Sequence, residues 1–178
     1  REATELATAV LDGAIRHIGS RIDLSGAGIK PQDVARTLTA VGIAGIAQGK
    51  LGPGPALEAV ASFVDLKSPF TLGHSREVAA LSERAAGALG FEPEAVTDLR
   101  RAALLHDLGR VAVSNGIWEK GAALSTTEWE RVRLHAYQSE RILARSRVLE
   151  PLARTAGMHH ERQDGSGYHR GASGAQVP

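Results

Sequence analysis

The stretch 158-MHHERQDGSGYHRG-171 sets two adjacent histidines, His159 and His160, before an acid, a glycine-rich turn and a single tyrosine. Neighbouring side chains on a helix diverge by about 100°. His159 and His160 can therefore reach one point only where a helix ends. Upstream, Leu149, Leu152, Ala156 and His159 keep a 3-4 rhythm, which predicts a helix starting near Pro151 and delivering the pair at its end.

Further back, 124-LSTTEW-129 carries a helix start signal. Ser125 and Glu128 fit a capping box, and Leu124 with Trp129 fits the apolar staple around it. On that helix Val132, His135 and Ile142 share a face. A helix from about Pro93 to Leu108 puts Val96, Leu99, Ala103 and His106 together, with Gly109 at its end. Another runs from Thr71–His74 to Leu89, with His74, Val78, Leu81, Ala85 and Leu89 on one stripe. Before a boundary expected near Leu66–Pro69, helices are expected over 2–18, from Pro31, and over Ala56–Asp65. The Gly52-Pro53-Gly54-Pro55 run separates the last two. Small residues in 41-VGIAGIAQG-49 suit close helix packing, at a dimer interface or an internal seam. No strand pattern or repeat is visible, so the fold class is all-α.

His74, His106, His135 and His159 thus fall on four helices, with Asp107 beside His106 and His160 beside His159. One histidine on an apolar face is usually a hydrogen-bonded core residue. Five with a carboxylate are costly to bury unless each finds a partner, and a metal ion partners neutral imidazoles and a carboxylate together. Six ligands exceed one tetrahedral ion. They suit two octahedral ions bridged by Asp107. His17 and His169 lie outside this set. The 178 residues contain no cysteine, which excludes disulfides and thiolate metal sites. Imidazole and carboxylate ligands leave Fe, Mn, Co, Ni and Zn open.

Apolar residues make up 43% and aromatics 4%, so the core rests on Ala, Leu, Val and Ile, which favours helices. The net charge of +1 argues against a nucleic-acid binder that works by overall charge. Of 21 basic residues 17 are Arg, which suits bidentate contacts to phosphate or carboxylate. No apolar run reaches membrane-spanning length and no signal peptide is visible. A cytoplasmic location follows as an expectation, for what reads as a piece of a longer protein.

The segment 104-LLHDLGR-110 resembles the HD superfamily of metal-dependent phosphohydrolases. With 159-HHERQDGSGYH-169 it is similar to the HD-GYP branch, whose pattern is HHExxDGxGYP. The spacing of 73-GHSREVA-79, HDLGR, 124-LSTTEWERVRLH-135 and HHE agrees, over about Asp65 to Pro178. The resemblance implies an HD-type helical bundle, here with an N-terminal helical extension over 1–64 serving as linker, dimerisation element or degenerate half. It implies hydrolysis of cyclic di-GMP, by a water or hydroxide between two divalent metals, most simply Fe or Mn, with Zn, Ni or Co as alternatives. His74, His106 and Asp107 would hold one metal. Asp107 would bridge to the second, held by His135, His159 and His160. Asp107 and Arg110 are the candidate catalytic residues. Arg110 replaces a Lys that meets the substrate phosphate, and Phe70 replaces the Glu of three-metal members, which implies two metals.

Arg110, Asp164, Gly165, Gly167 and Tyr168 form the candidate substrate-binding set. Asp164 and the glycines would shape the turn, with Gly165 or Gly167 at positive φ. Tyr168 either stacks on a guanine base or packs under the loop. Arg162 either meets a phosphate or is solvated. His169 stands where the pattern has Pro. A further metal-binding Asp is expected on a helix after the loop, and the sequence ends where that helix would begin, so 65–178 reads as a truncated domain. The expected partners are a cyclic dinucleotide, a second copy of the chain, and regulatory or output modules. Alternatives are an HD phosphohydrolase for nucleotides or phosphomonoesters, and a signalling module with a weakened site.

Overall fold

The structure is a computed structural model, and it describes residues 53–178. The helices expected over 2–18 and from Pro31, the seam at 41–49, and His17 lie outside those residues. The described part is helical throughout, with no strand beyond one isolated bridge between Asp164 and Ser173.

Helix α1 (Pro53–Asp65) leads through a 3-10 turn (Pro69–Thr71) to α2 (His74–Ala88) and α3 (Pro93–Leu105). A second 3-10 turn (Leu108–Ala112) and the short α4 (Asn115–Trp118) precede α5 (Thr126–Leu143) and α6 (Glu150–Gly157). The terminal loop closes with a 3-10 turn at Gly174–Gln176. One core joins Leu57, Val60 and Val64 of α1 to Leu104 and Leu105 of α3, Leu143 of α5 and Leu152 of α6. Helix α1 therefore packs in the same core as the His-bearing helices. The boundary drawn near Leu66–Pro69 falls on the turn between α1 and α2.

The start of α5 carries the expected capping box, with Glu128 N donating to Ser125 Oγ at 3.3 Å and Ser125 N donating to Glu128 Oε2 at 2.7 Å. Two sequence expectations shift. On α2 the buried positions are Ser75, Ala79 and Ala86, while Leu81 and Leu89 are exposed. Small side chains let α2 lie close on α3, so the packed stripe sits one position from the expected one. Helix α3 stops at Leu105 rather than Leu108, because the chain tightens there into the 3-10 turn.

Candidate metal and phosphate site

Asp107 is 5% exposed, at the head of the 3-10 turn that follows α3. Its two oxygens face different imidazoles. Oδ2 lies 3.4 Å from His106 Nε2 and 3.7 Å from His74 Nε2. Oδ1 lies 3.2 Å from His135 Nε2 and 3.9 Å from His159 Nε2. The donor atoms form two groups, His74–His106–Asp107 and His135–His159–His160, each with its atoms within 4.8 Å of one another. All six sequence-predicted metal ligands are thus brought together, with Asp107 between the groups.

Of the five histidines only His135 sits in the interior of a helix. His74 is the first residue of α2, His106 directly follows α3, and His159 and His160 follow the C-cap Met158 of α6. Helix ends release the side chain from the helical stripe, so four elements can converge on one carboxylate.

Three of these rings are oriented by their own backbone. His106 Nδ1 lies 2.7 Å from Ala103 O, His135 Nδ1 2.6 Å from Val132 O, and His159 Nδ1 2.7 Å from Ala156 O. A carbonyl only accepts, so each Nδ1 carries a proton, and a ring in its neutral form then offers a bare Nε2 inward. Burial, reinforced by the charges of His106 and His160, pushes His159 down to about 3. Burial and then His135 push His160 down to about 4. Both are neutral and ligand-ready at pH 7. At His106 burial pushes downward, but Asp107 outweighs it and the pKa rises. Burial would raise Asp107, yet contacts with His106 and His135 and the charge of Arg110 hold it well below the usual carboxylate range. His135 Nε2 and His159 Nε2 are 3.1 Å apart. Two unprotonated nitrogens at that spacing repel each other, a proton on one of them or a shared cation relieves the repulsion, and ligands about 2.1 Å from one ion sit roughly this far apart. The donor set fits divalent metals.

Residues to which the sequence reading gave no role in the site build this geometry. Ser139, fully buried on α5, accepts from Gly109 N at 2.8 Å and donates to His106 O at 2.6 Å. Gly109 lies so close to α5 that a Cβ would overlap His135 O and stand 2.5 Å from Ser139 N. The glycine after His106-Asp107 therefore allows the turn to press on the helix that carries His135. Asp65, buried at the end of α1, accepts from Ser75 N at 3.0 Å and Ser75 Oγ at 2.6 Å, which fixes the start of α2 beside His74. Burial raises the Asp65 pKa against the pull of those hydrogen bonds. A buried acid four residues ahead of the 3-10 turn at Pro69 gave no periodic signal in the sequence.

Glu161 organises the loop. Its carboxylate accepts from Arg170 N at 2.6 Å and Ala172 N at 2.8 Å. Gly167 packs on the same residue, where a Cβ would stand 2.5 Å from Glu161 Cα. Gly165, at φ 77°, is the loop glycine of the expected pair with positive φ. Asp164 accepts from Ser166 N at 2.9 Å and from Ser166 Oγ at 2.7 Å, so it shapes the turn. His169 stays outside both ligand groups, with Nε2 3.8 Å from Glu140 Oε2.

A cavity of about 700 Å³ opens over the cluster and is lined by all six candidate ligands with Arg110, Trp118 and Tyr168. Arg110 donates to Asp107 Oδ2 at 3.0 Å, and its guanidinium lies 4.1 Å from the Trp118 ring centre. Tyr168 stacks on His160 with ring centres 4.4 Å apart. Of the candidate substrate-binding set, Arg110 and Tyr168 line this cavity. Asp164, Gly165 and Gly167 do not, and Gly167 instead lines a neighbouring one. Phe70 is 89% exposed, on the turn before α2.

Fold and site together define an all-α domain built round a carboxylate-centred histidine cluster. The HD domain family matches residues 58–178, and the chain belongs to it. It is 44% identical over 119 residues to the 3'3'-cGAMP-specific phosphodiesterase 3 of Vibrio cholerae serotype O1, an alignment covering 67% of this chain and 26% of that protein. To the 3'3'-cGAMP-specific phosphodiesterase 1 of the same organism it is 36% identical over 118 residues, covering 66% of this chain and 27% of the relative. To the cyclic di-GMP phosphodiesterase of Thermotoga maritima it is 38% identical over 107 residues, covering 59% and 29%. The chain therefore spans between a quarter and a third of these relatives. Among the described residues no helix is long and apolar enough to cross a membrane.

Proposed function

We propose that this chain carries the catalytic part of a metal-dependent phosphodiesterase acting on a cyclic dinucleotide, with cyclic di-GMP as first choice. The observation that carries the proposal is the division of Asp107, with Oδ2 toward His74 and His106 and Oδ1 toward His135 and His159. His74, His106 and Asp107 would hold one divalent ion, and His135, His159, His160 and Asp107 a second. Fe or Mn fits a thiolate-free set, with Zn, Ni or Co as alternatives. The exposed Phe70, at the position where the HD-GYP resemblance puts a Glu in three-metal members, supports two ions rather than three. When bound, two such ions neutralise phosphate charge and bring the pKa of water into the neutral range.

The chain's own residues do the positioning. The cavity walls take up the nucleotide. Arg110 brings a buried guanidinium to the cluster, where it can trade its bond to Asp107 for one to a phosphate oxygen. In the reaction water adds to phosphorus, the bond to one ribose oxygen breaks, and the proton ends on that oxygen. The ring opens to a linear dinucleotide. A second reading, 3'3'-cGAMP as the substrate, is favoured by the 44% identity to a relative of that specificity. Cytoplasmic location, a second copy of the chain, and regulatory or output modules in the rest of the protein complete the proposal.

The test is elemental analysis of protein prepared anaerobically without chelator, followed by assay on both cyclic dinucleotides. About two ions of Fe or Mn per chain, with linear product that Asp107→Asn abolishes, is the expected result. Absence of bound metal, or product formation indifferent to Asp107→Asn, would sink the reading.

A further inference from the structure

A second cleft, of about 420 Å³, adjoins the cluster and is lined by Arg133, Arg162, Ser166 and Gly167 together with His159, His160 and Tyr168. The last three also line the large cavity, so the two spaces share a wall made of ligand imidazoles and the Tyr168 ring. We propose that the cleft between Arg133 and Arg162 binds the second, non-scissile phosphate of a cyclic dinucleotide whose first phosphate lies at the histidine–aspartate cluster. The inference rests on the phosphodiesterase reading and adds to it the groups that recognise a dinucleotide rather than a single phosphate.

Charge and geometry support it. The Arg162 side chain is exposed and makes no ion pair or side-chain hydrogen bond among the described residues. Arg133 holds its guanidinium 5.7 Å from the Tyr168 ring centre. Its ion pair, to Glu130 at 3.1 Å, is a solvent-exposed contact between neighbours on one helix, which a phosphate can displace. The one acid in the cleft wall, Glu161, engages both carboxylate oxygens with the backbone, at Arg170 N and Ala172 N. The cleft thus offers two guanidiniums, each able to donate a pair of N–H groups to a phosphate. A phosphodiester keeps its negative charge at neutral pH, and a cyclic dinucleotide carries two across its ring. The cluster can serve one of them, and the other needs a cationic seat close by. A wall shared with the cluster places the arginine cleft where that seat is required. The Glu161 clamp makes the seat rigid, since it fixes the loop that bears Arg162 and Tyr168.

The test compares Arg133→Met, Arg162→Met and the double variant with the unaltered 178-residue chain, loaded with Mn. Two substrates are used, a cyclic dinucleotide and bis(p-nitrophenyl) phosphate, which has a single phosphodiester. Equilibrium binding of a non-hydrolysable phosphorothioate cyclic dinucleotide gives a readout independent of turnover. In the double variant the selectivity for the cyclic dinucleotide, as a ratio of kcat/KM values, is expected to fall at least about tenfold, mainly through KM. The Kd of the analogue should rise by a similar factor, and its salt dependence should flatten. Arg162→Lys, which keeps the charge, should fall between. Equal losses on both substrates, or an unchanged Kd for the analogue, would overturn the proposal. If the unaltered chain hydrolyses neither substrate, the phosphodiesterase reading fails. The binding arm then decides alone: arginine-dependent capture of the analogue upholds the subsite, and arginine-independent capture or none removes it.

Discussion

Gly109 and Ser139 show how much of the site depends on residues with no chemistry of their own. Ser139 Oγ bridges Gly109 N and His106 O from within α5. Ser139→Ala would leave a buried donor and a buried acceptor without that partner, an expected loss of about 1–3 kcal/mol. Gly109→Ala would force a methyl group against His135 O and Ser139 N. Relief requires α5 to move away from the turn that carries Asp107, at about 1–3 kcal/mol as for overpacked cores. The two variants should differ in function. Urea denaturation should show both less stable, while metal retention should fall further for Gly109→Ala, because it separates His135 from Asp107. Equal metal content in the two would show that the contact is only structural.

Among the elements, α5 has the most explicit start. Lys120 Nζ lies 2.6 Å from Glu128 Oε2, and this contact, with the Ser125 hydrogen bonds, lowers the Glu128 pKa from 4.5 to about 2. The folded value is below the unfolded one, so the stabilisation is present above pH 4.5 and is lost as the pH falls toward about 2. Glu128→Gln should flatten the pH dependence of the unfolding midpoint within that window and change little at pH 7 beyond a constant offset. Ser125→Ala should cost about 1 kcal/mol at neutral pH. The same element shows what the sequence made legible. A capping box lies within four residues and can be read directly, and so can the clustering histidines proposed as ligands, whose types and order are distinctive. The packed face of α2 was displaced because it is made of Ser and Ala, which carry little hydropathic contrast against Leu81 and Leu89. Helix α4 is four residues long, too short to show a period. The Glu161 clamp joins residues nine and eleven positions apart through backbone N–H groups, which leave no trace in side-chain pattern.

For the whole molecule, two features tie the parts into one unit: the shared core and the cluster. Ala56, Leu57, Val60, Ala61 and Val64 of α1 are each at most 5% exposed in that core. Burying a Leu or Val side chain contributes about 1.5–3 kcal/mol. A chain begun at Asp65 should therefore unfold less cooperatively than the unaltered chain, as calorimetry would show. The cluster acts at the other level. Helices α2, α3, α5 and α6 each bring an imidazole to Asp107, and the unfolded chain has no such convergence, so ions that bind here bind the folded state. Linkage then stabilises the fold by about 2.7 kcal/mol when free metal reaches 100 times its Kd. For a domain of this size that corresponds to a rise in Tm of roughly 10 °C. Added Mn should raise Tm, and a chelator should return it to the metal-free value. Asp107→Asn weakens the shared ligand of both groups, so its Tm should respond far less to either treatment. A Tm of the unaltered chain that ignores metal and chelator alike would mean that the imidazoles are held by the protein alone, and the two-ion assignment would fall with it.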